Sequence, residues 1–378
     1  MGYICPYCFE RNSKISFKCI NKRCTGKGDY VFPGGLGSAK NMKAACPSCG
    51  NTSFTVVCPI CKNVLPESTL GGNDHIISIV GSRSTGKSHF IGVIIHELIN
   101  RISAEMGGSF EGFSDSMARY HAIYEMKLYQ TRQVLEQTRA ALGNEDNLKP
   151  LIFKFNVTDS FFRGKIKSYT FVFFDTAGED LDDISTMSTV NKYIARSDGI
   201  IFLLDPMQIT GVVSGLLNTE GISNDWIDRA SGGVGIGSNA TADDIMTRVS
   251  QLVRNLNGWK STKKITIPVA AVFAKYDAFE PIVPDGFVVR EPSPHCKEGK
   301  FNDSDRNNVN SEIKSMLETW GATAFTSQLE QNYTTYSYFA CSALGLNNNP
   351  VGGRFSSPHP HRIEDPMLWL MKMNSIIK

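Results

Sequence analysis

Ile76-Ile77-Ser78-Ile79-Val80-Gly81-Ser82-Arg83-Ser84-Thr85-Gly86-Lys87-Ser88-His89-Phe90 is the stretch of sequence that decides the fold. Residues 81–88 match the pattern G-x-x-x-x-G-K-[ST] at every fixed position, between an apolar run and an apolar helical pattern. This order predicts a buried strand, a glycine loop and a helix. Gly81 and Gly86 allow backbone angles that other residues rarely adopt, so the N–H groups of the loop can converge on a phosphate at the positive end of the helix.

The residues of this loop predict a site for a nucleoside triphosphate. Lys87 would place a positive charge beside the β- and γ-phosphates, and the Ser88 hydroxyl would be a ligand of Mg²⁺. The alternative is a glycine-rich turn that matches the pattern by chance. The expected nucleotide contacts in this stretch are Gly81, Ser82, Ser84, Thr85, Gly86, Lys87, Ser88 and His89.

Length, composition and charge limit the classes of protein to which the chain can belong. The chain has 378 residues, 41% of them hydrophobic, and a net charge of +2, so two or three domains with full cores are expected. Net charge alone does not support binding to nucleic acid. The sequence has no run of about 18 apolar residues and no signal-peptide pattern, which favours a soluble cytoplasmic protein with no membrane contact.

Eight of the ten cysteines lie within the first 61 residues and are arranged in two sets. The first set has the spacing C-x2-C-x10-C-x4-C and the second has C-x2-C-x8-C-x2-C, each offering four thiolates, as a closed structural zinc site requires. Disulfides are the alternative, but a cytosolic protein lies in a reducing compartment. The prediction is one Zn²⁺ in each set, bound by Cys5, Cys8, Cys19 and Cys24 and by Cys46, Cys49, Cys58 and Cys61.

The role of this cysteine-rich module stays open between contact with nucleic acid and contact with protein. Residues 1–70 hold nine Lys and Arg against three Asp and Glu, a surplus of six. Two Zn²⁺ ions and eight thiolates add about −4, which leaves the segment near +2. The charge is therefore too small to favour nucleic acid.

The predicted organisation is a tandem zinc ribbon over residues 1–66, a linker over 67–73 and one α/β domain over 74–378. A stripe of apolar and aromatic residues predicts a helical insert at about 104–147. Residues 151–157 and 168–175 have the pattern of a β-hairpin. The fold class expected is a mostly parallel sheet flanked by helices, with the small zinc module at the N-terminus.

Three later motifs resemble those of the TRAFAC class of P-loop GTPases, in the same order along the chain. They are Asp175-Thr-Ala-Gly178, Ala274-Lys275-Tyr276-Asp277 and Ser342-Ala343, each at the end of a predicted strand. The resemblance implies that Asp175 holds Mg²⁺ through water and that the Gly178 amide contacts the γ-phosphate. It also implies that Asp277 accepts two hydrogen bonds from guanine, that the Lys275 stem covers the base, and that the backbone of Ser342 and Ala343 contacts guanine.

Three positions depart from the pattern of this class, and a fourth is the candidate for its switch threonine. Position 274 is Ala where Asn or Thr is usual, so the motif lacks one polar side chain that would support it. Arg83 stands where many small GTPases have Gly, and Glu179 stands where a water-orienting Gln is common, so both join Lys87 as catalytic candidates. The alternatives are a solvent-facing Arg and a Glu that starts a helix. Thr138 is the candidate switch threonine, and its alternative is an ordinary place on a helix.

The paired cysteine sites, the insert and the Asp-Thr-Ala-Gly-Glu stretch together look like the bacterial double-GTPase group, which is proposed to act in conflict or defence systems beside partner proteins. The resemblance implies a regulatory switch that hydrolyses GTP to GDP and signals its state to a protein partner that senses the switch segments. A GTP-binding interaction module with negligible turnover is the alternative that Glu179 keeps open. Such a module would recruit protein or nucleic acid through the zinc ribbons.

Overall fold

The structure is a computed structural model that describes residues 2–24, 30–34, 41–71, 73–135, 149–159, 165–175, 188–231, 241–295, 300–345, 355 and 357–378. The N-terminal part consists of three small sheets, formed by β1 with β2, by β4, β3 and β7, and by β5 with β6. These strands are β1 (Tyr3–Ile4), β2 (Arg11–Asn12), β3 (Ser16–Lys18), β4 (Val31–Pro33), β5 (Ala44–Ala45), β6 (Thr52–Ser53) and β7 (Thr55–Val57). Such short strands need other support, and here buried cysteines form much of the core around them.

A seven-stranded sheet with the order β14-β13-β12-β8-β11-β10-β9 forms the centre of the rest of the chain. The five strands from β14 to β11 run parallel, while β10 and β9 are antiparallel to their neighbours. This mostly parallel sheet with flanking helices confirms the predicted fold class. The strands are β8 (Asp74–Gly81), β9 (Gly108–Gly112), β10 (Leu151–Asp159), β11 (Lys165–Phe173), β12 (Gly199–Leu204), β13 (Val269–Phe273) and β14 (Tyr336–Ala340).

Both faces of the sheet are covered, which explains why its central strands read as continuous apolar runs. Ile76 and Val80 of β8 point into one hydrophobic cluster, and Ile77 and Ile79 point into another on the opposite face. The α-helices among the described residues are Glu67–Gly71, Lys87–Glu97, Ser103–Glu105, Ser116–Tyr120, Ser188–Ala195, Thr210–Leu217, Asn224–Ala230, Ala242–Asn257, Tyr276–Phe279, Asp303–Thr319, Thr323–Asn332 and Asp365–Met373. Within the described parts of the chain, no helix is both long and apolar enough to span a membrane.

The insert predicted as helical over 104–147 also contains a strand, so that prediction was wrong for part of its length. β9 pairs with β10 at the edge of the sheet, and the chain then forms the helix Ser116–Tyr120 and the π-helix His121–Gln130. A Cβ on Gly108 would lie 2.4 Å from the Asn156 carbonyl oxygen, so the close approach of the two backbones requires glycine. Residues 136–148 of the insert lie outside the described part.

The predicted hairpin is present. β10 and β11 are antiparallel and in register from Leu151↔Phe173 to Asp159↔Lys165. Residues 67–71 of the predicted linker form a short helix, and the Ser68 hydroxyl is hydrogen-bonded to that of Thr170 in β11. The segment between the two parts of the chain therefore packs against the sheet.

Candidate nucleotide site and cysteine clusters

The glycine loop follows β8 and leads directly into the helix Lys87–Glu97. Gly86 has φ 87°, a left-handed conformation that glycine adopts without strain. Gly81 is required for a different reason, because a Cβ there would lie 2.7 Å from the Leu203 carbonyl oxygen in the neighbouring β12. The two fixed glycines of the motif therefore allow the conformation of the loop and its close packing against β12.

The buried Lys87 lies back over the loop. Its Nζ donates hydrogen bonds to the carbonyl oxygens of Gly81 at 3.0 Å and Ser82 at 2.8 Å. The Thr85 hydroxyl also donates to the Ser82 carbonyl, at 2.9 Å. The ammonium group is thus held at the centre of the loop, whereas Arg83 is exposed on its outside.

Asp175 lies beyond the end of β11 at the edge of the sheet where the loop lies, because β11 is the parallel neighbour of β8. The hydroxyl of Tyr124, in the insert, donates a hydrogen bond to Asp175 Oδ2 at 2.9 Å. A serine hydroxyl and a carboxylate are hard oxygen ligands, so Ser88 and Asp175 fit the chemistry that Mg²⁺ prefers. Gly178 and Glu179 lie outside the described residues.

The motif after β13 is fixed by an ion pair that the sequence did not reveal. Lys275 has φ 53°, and its Nζ donates hydrogen bonds to Asp205 Oδ2 at 2.9 Å and to the Ala230 carbonyl oxygen at 3.0 Å. Asp205 directly follows β12, and its side chain is 1% exposed. Its place after a buried strand, at the same edge as the other motifs, is the signal that could have identified it.

Asp277 and Ser342 meet at the same edge of the sheet as the glycine loop. Burial raises the pKa of Asp277 above its ordinary value, and a hydrogen bond with the Ser342 side chain opposes that rise. The Tyr276 N–H donates to the Cys341 carbonyl oxygen at 3.0 Å, which ties the ends of β13 and β14 together. Ala343, which follows Ser342 in the sequence, is half-buried. Two motifs 65 residues apart are thus placed side by side.

His89, which was predicted to contact the nucleotide, has a described partner in the insert. Its Nε2 accepts a hydrogen bond from the Leu135 N–H at 3.1 Å. Burial, with a smaller contribution from the charge of Lys275, lowers the pKa of His89 to about 4, so the ring is neutral at physiological pH. His89 therefore holds the insert at Leu135, the residue that precedes the undescribed stretch 136–148 in the sequence. Thr138, the candidate switch threonine, lies in that undescribed stretch.

The eight N-terminal cysteines form two clusters, but the predicted pairing was wrong. One cluster contains Cys5, Cys8, Cys58 and Cys61, and the other contains Cys19, Cys24, Cys46 and Cys49. Each cluster takes two cysteines from the first half of the module and two from the second. The antiparallel pairing of β3 with β7 brings these halves together, and sequence spacing carries no information about that pairing.

The geometry of both clusters fits a tetrahedral metal ion. The Sγ–Sγ distances are 3.7 Å for Cys5 and Cys61 and 3.9 Å for Cys8 and Cys58. In the second cluster they are 3.7 Å for Cys19 with Cys49 and 3.8 Å for Cys24 with Cys46. A regular tetrahedron with Zn–S bonds of about 2.3 Å has S–S edges of about 3.8 Å, while a disulfide is about 2.05 Å long. The four-thiolate sets therefore suit a soft ion such as Zn²⁺.

The first cysteine cluster contacts, through Phe9, the edge of the sheet that carries the glycine loop, Asp175, Asp277 and Ser342. We call this edge the nucleotide edge, because the motifs predicted to bind the nucleotide lie there. This residue follows Cys8, and its fully buried ring lies 5.2 Å from the Tyr193 ring and 6.2 Å from the Phe174 ring, centroid to centroid. Phe174 directly precedes Asp175. Beside this contact, Lys192 Nζ forms an ion pair with Glu10 Oε1 at 2.6 Å. The module is therefore docked at the start of the Asp-Thr-Ala-Gly segment.

A family model described as Double-GTPase 2 matches residues 75–319. Among curated proteins, the "Putative ESX-1 scaffolding and assembly protein SaeC" of Mycolicibacterium smegmatis is 28% identical over 155 residues, which is 40% of this chain and 38% of that protein. The GTP-bound GTPase-like domain of S. cerevisiae Ski7 is similar over 80% of this chain and 50% of that chain, at 12% identity. Its TM-score of 0.33 is too low to support an argument. The chain thus spans half or less of the length of these relatives.

Proposed function

Because the chain belongs to the Double-GTPase 2 family, and is by that membership a GTP-binding protein, we propose that it hydrolyses GTP to GDP and phosphate as a regulatory switch. The observation that carries the proposal is the convergence of four motifs at one edge of the parallel sheet. The glycine loop, Asp175, Asp277 and Ser342 all lie at the carboxyl ends of strands, where sheets of this type bind their ligands.

The chemistry that we propose follows from the charges at this edge. Lys87 would leave the carbonyl oxygens of Gly81 and Ser82 for the β- and γ-phosphate oxygens, which bear more negative charge. Ser88 and Asp175 would hold Mg²⁺, which neutralises charge on the phosphate oxygens when bound. Arg83 and Glu179 remain candidates for stabilising charge and orienting water.

Base recognition is assigned to Asp277 in this proposal. An ionised carboxylate accepts two hydrogen bonds from the ring N–H and amino group of guanine, and adenine lacks that pair of donors. The contact of Lys275 with Asp205 would hold the lysine stem against the base, which compensates for the Ala at position 274. The backbone of Ser342 and Ala343 would complete the pocket.

Two Zn²⁺ ions in the cysteine clusters are part of the proposal, together with a protein partner that senses the nucleotide state. Phe9 supports a route from the nucleotide edge to the first cluster, because it packs on Phe174 beside the proposed Mg²⁺ ligand. The name of the SaeC relative, which describes scaffolding and assembly, supports a protein partner. The cytoplasm is the location that we propose for the chain. A bacterial defence role would be one setting for such a partner.

The alternative function is GTP-dependent recruitment with negligible turnover. The observation that favours it is Glu179 at a position where a water-orienting glutamine is common in the broader class. Under this alternative, the bound nucleotide would fix the conformation that a partner recognises, and the zinc module would supply part of the contact surface.

Single-turnover hydrolysis by the purified full chain, with Mg²⁺ and labelled GTP, tests the proposal. Release of phosphate by the wild-type protein and loss of tight Mg²⁺-GTP binding in Lys87→Ala and Ser88→Ala are expected, because each variant lacks a phosphate or metal contact. Ile166→Ala serves as the control, because Ile166 is 71% exposed and has no role in the proposed site. Tight binding without turnover would favour the recruitment alternative, and unchanged GTP affinity in both Lys87→Ala and Ser88→Ala would refute the site.

A further inference from the structure

The insert before β10 delivers a tyrosine hydroxyl to the proposed Mg²⁺ ligand. Tyr124 lies in the π-helix His121–Gln130, and its hydroxyl oxygen is 2.9 Å from Asp175 Oδ2. The side chain is buried. A phenol ordinarily has a pKa of about 10, so the hydroxyl is protonated at physiological pH and donates its proton in the hydrogen bond to the carboxylate.

The packing of the insert fixes where this hydroxyl lies. The π-helix rests on the helix that begins with Lys87 and Ser88, and the contact is made at Gly92. A Cβ at this position would lie 2.7 Å from Leu128 Cδ1 and 3.1 Å from Tyr124 Cδ1, so the two helices approach as closely as a glycine allows. The insert is thus held in place by the same helix that carries the proposed phosphate and metal contacts.

We propose that Tyr124 is a positioning residue that fixes the orientation of the Asp175 carboxylate for Mg²⁺-GTP, an inference that rests on the proposed function. A carboxylate after a strand end can rotate about two side-chain bonds, and a hydrogen bond to one oxygen selects the orientation in which the other is presented. Burial of Tyr124 keeps water from replacing the phenol. The insert thereby becomes part of the metal site without contributing a ligand.

The variant that tests this inference is Tyr124→Phe, which keeps the ring that packs on Gly92 and removes the hydroxyl. Tyr120→Phe is the matched control, because Tyr120 is buried one turn earlier and its hydroxyl donates to the Gly92 carbonyl oxygen at 3.1 Å, away from Asp175. The readout is the Mg²⁺ concentration at half-maximal binding of a fluorescent GTP analogue to the full chain. Melting temperatures of both variants report on the fold.

Tyr124→Phe is expected to raise the half-maximal Mg²⁺ concentration at least about tenfold, which is the lower end of the effect of one lost hydrogen bond to a charged group. Tyr120→Phe is expected to leave it unchanged. In an Asp175→Asn background, Tyr124→Phe should produce no further shift, since the carboxylate that it positions is gone.

An unchanged Mg²⁺ requirement in Tyr124→Phe would overturn the inference while leaving the proposed function intact. An equal shift in Tyr120→Phe would also overturn it, because the effect would then come from general packing of the insert. Failure of the wild-type protein to bind the analogue at any Mg²⁺ concentration would overturn the proposed function, and this inference with it.

Discussion

Truncation of Phe9 to alanine is expected to release the cysteine module from the nucleotide edge. The Phe9 ring is fully buried and packs against the rings of Tyr193 and Phe174. Its backbone has φ 55°, and Gly50 occupies the corresponding place, directly after the second cysteine of the Cys46–Cys49 turn. A left-handed phenylalanine is strained, so the burial of its ring has to offset that strain.

The size of the effect follows from the depth of this contact. Replacing a buried phenylalanine by alanine costs about 3–5 kcal/mol, including the cavity that remains. The neighbouring ion pair contributes much less, because Lys192 and Glu10 are 32% and 40% exposed and exposed pairs are worth about 0.2–1 kcal/mol. The aromatic contact therefore dominates the docking, and Glu10→Gln should have little effect.

Amide hydrogen exchange of the full, zinc-loaded chain measures the loss. In Phe9→Ala, amides in the helix Ser188–Ala195 and in β1 should exchange on the order of a hundredfold faster, since about 3 kcal/mol corresponds to that ratio of open to closed states. Phe54→Ala is the control, because Phe54 belongs to the same module but its side chain is 68% exposed. The zinc content of both variants should equal that of the wild type.

Equal exchange in Phe9→Ala and the wild type would refute the docking argument. Equal acceleration in Phe54→Ala would refute it as well, because the effect would then belong to the module in general. Loss of zinc from Phe9→Ala would show that Phe9 acts on the fold of the cluster and not on its contact with the sheet.

Asp277→Asn should weaken GTP binding about tenfold to a hundredfold and move the preference toward XTP, because an amide offers one acceptor and one donor. Competition between GTP and XTP measures this preference, and unaltered selectivity for GTP would mean that other residues recognise the base. Cys46→Ser should lower the zinc content from about two ions to about one per chain, as metal analysis would show, and absence of zinc from wild-type protein prepared without chelator would contradict the assignment. Asp74→Asn should make the chain more stable above pH 7. Burial raises the pKa of Asp74 from 3.8 to about 7, so the folded state binds this proton more tightly than the unfolded state does. The wild type therefore loses stability as the pH rises from about 4 to 7. The gain at pH 8 should be about 1–4 kcal/mol in denaturant unfolding and should vanish near pH 4, and a gain that does not depend on pH would contradict this cause.

The sequence predicts those parts of the fold that are formed by residues close together along the chain. The residues of the loop between β8 and its helix are contiguous in the sequence, and some of them are fixed for local reasons, as the positive φ of Gly86 shows. The hairpin of β10 and β11 was predictable for the same reason, because its strands and its polar turn are contiguous in the sequence. Contacts between distant segments were not predictable in this way.

Tyr124 and Asp205 show why part of the candidate site was missed. Tyr124 fits an apolar helical stripe, and its ring does pack as that stripe predicts, so nothing in the sequence indicates that its hydroxyl reaches Asp175. Asp205 follows a buried strand, but its pairing with Lys275 depends on β12 and β13 being neighbours. Both contacts follow from the arrangement of the sheet and not from spacing along the chain.

The pairing of cysteines from the two halves of the module has a consequence for the proposed signalling. The Phe9 N–H donates to the Cys5 carbonyl oxygen at 2.9 Å, so the turn that carries Cys5 and Cys8 also sets the position of the Phe9 ring. Cys58 and Cys61 complete this cluster close to the segment that enters β8, so the cluster joins two points where the module meets the sheet. The second cluster makes neither connection among the described contacts, and under the proposed function a change at the nucleotide edge would reach the first cluster before the second.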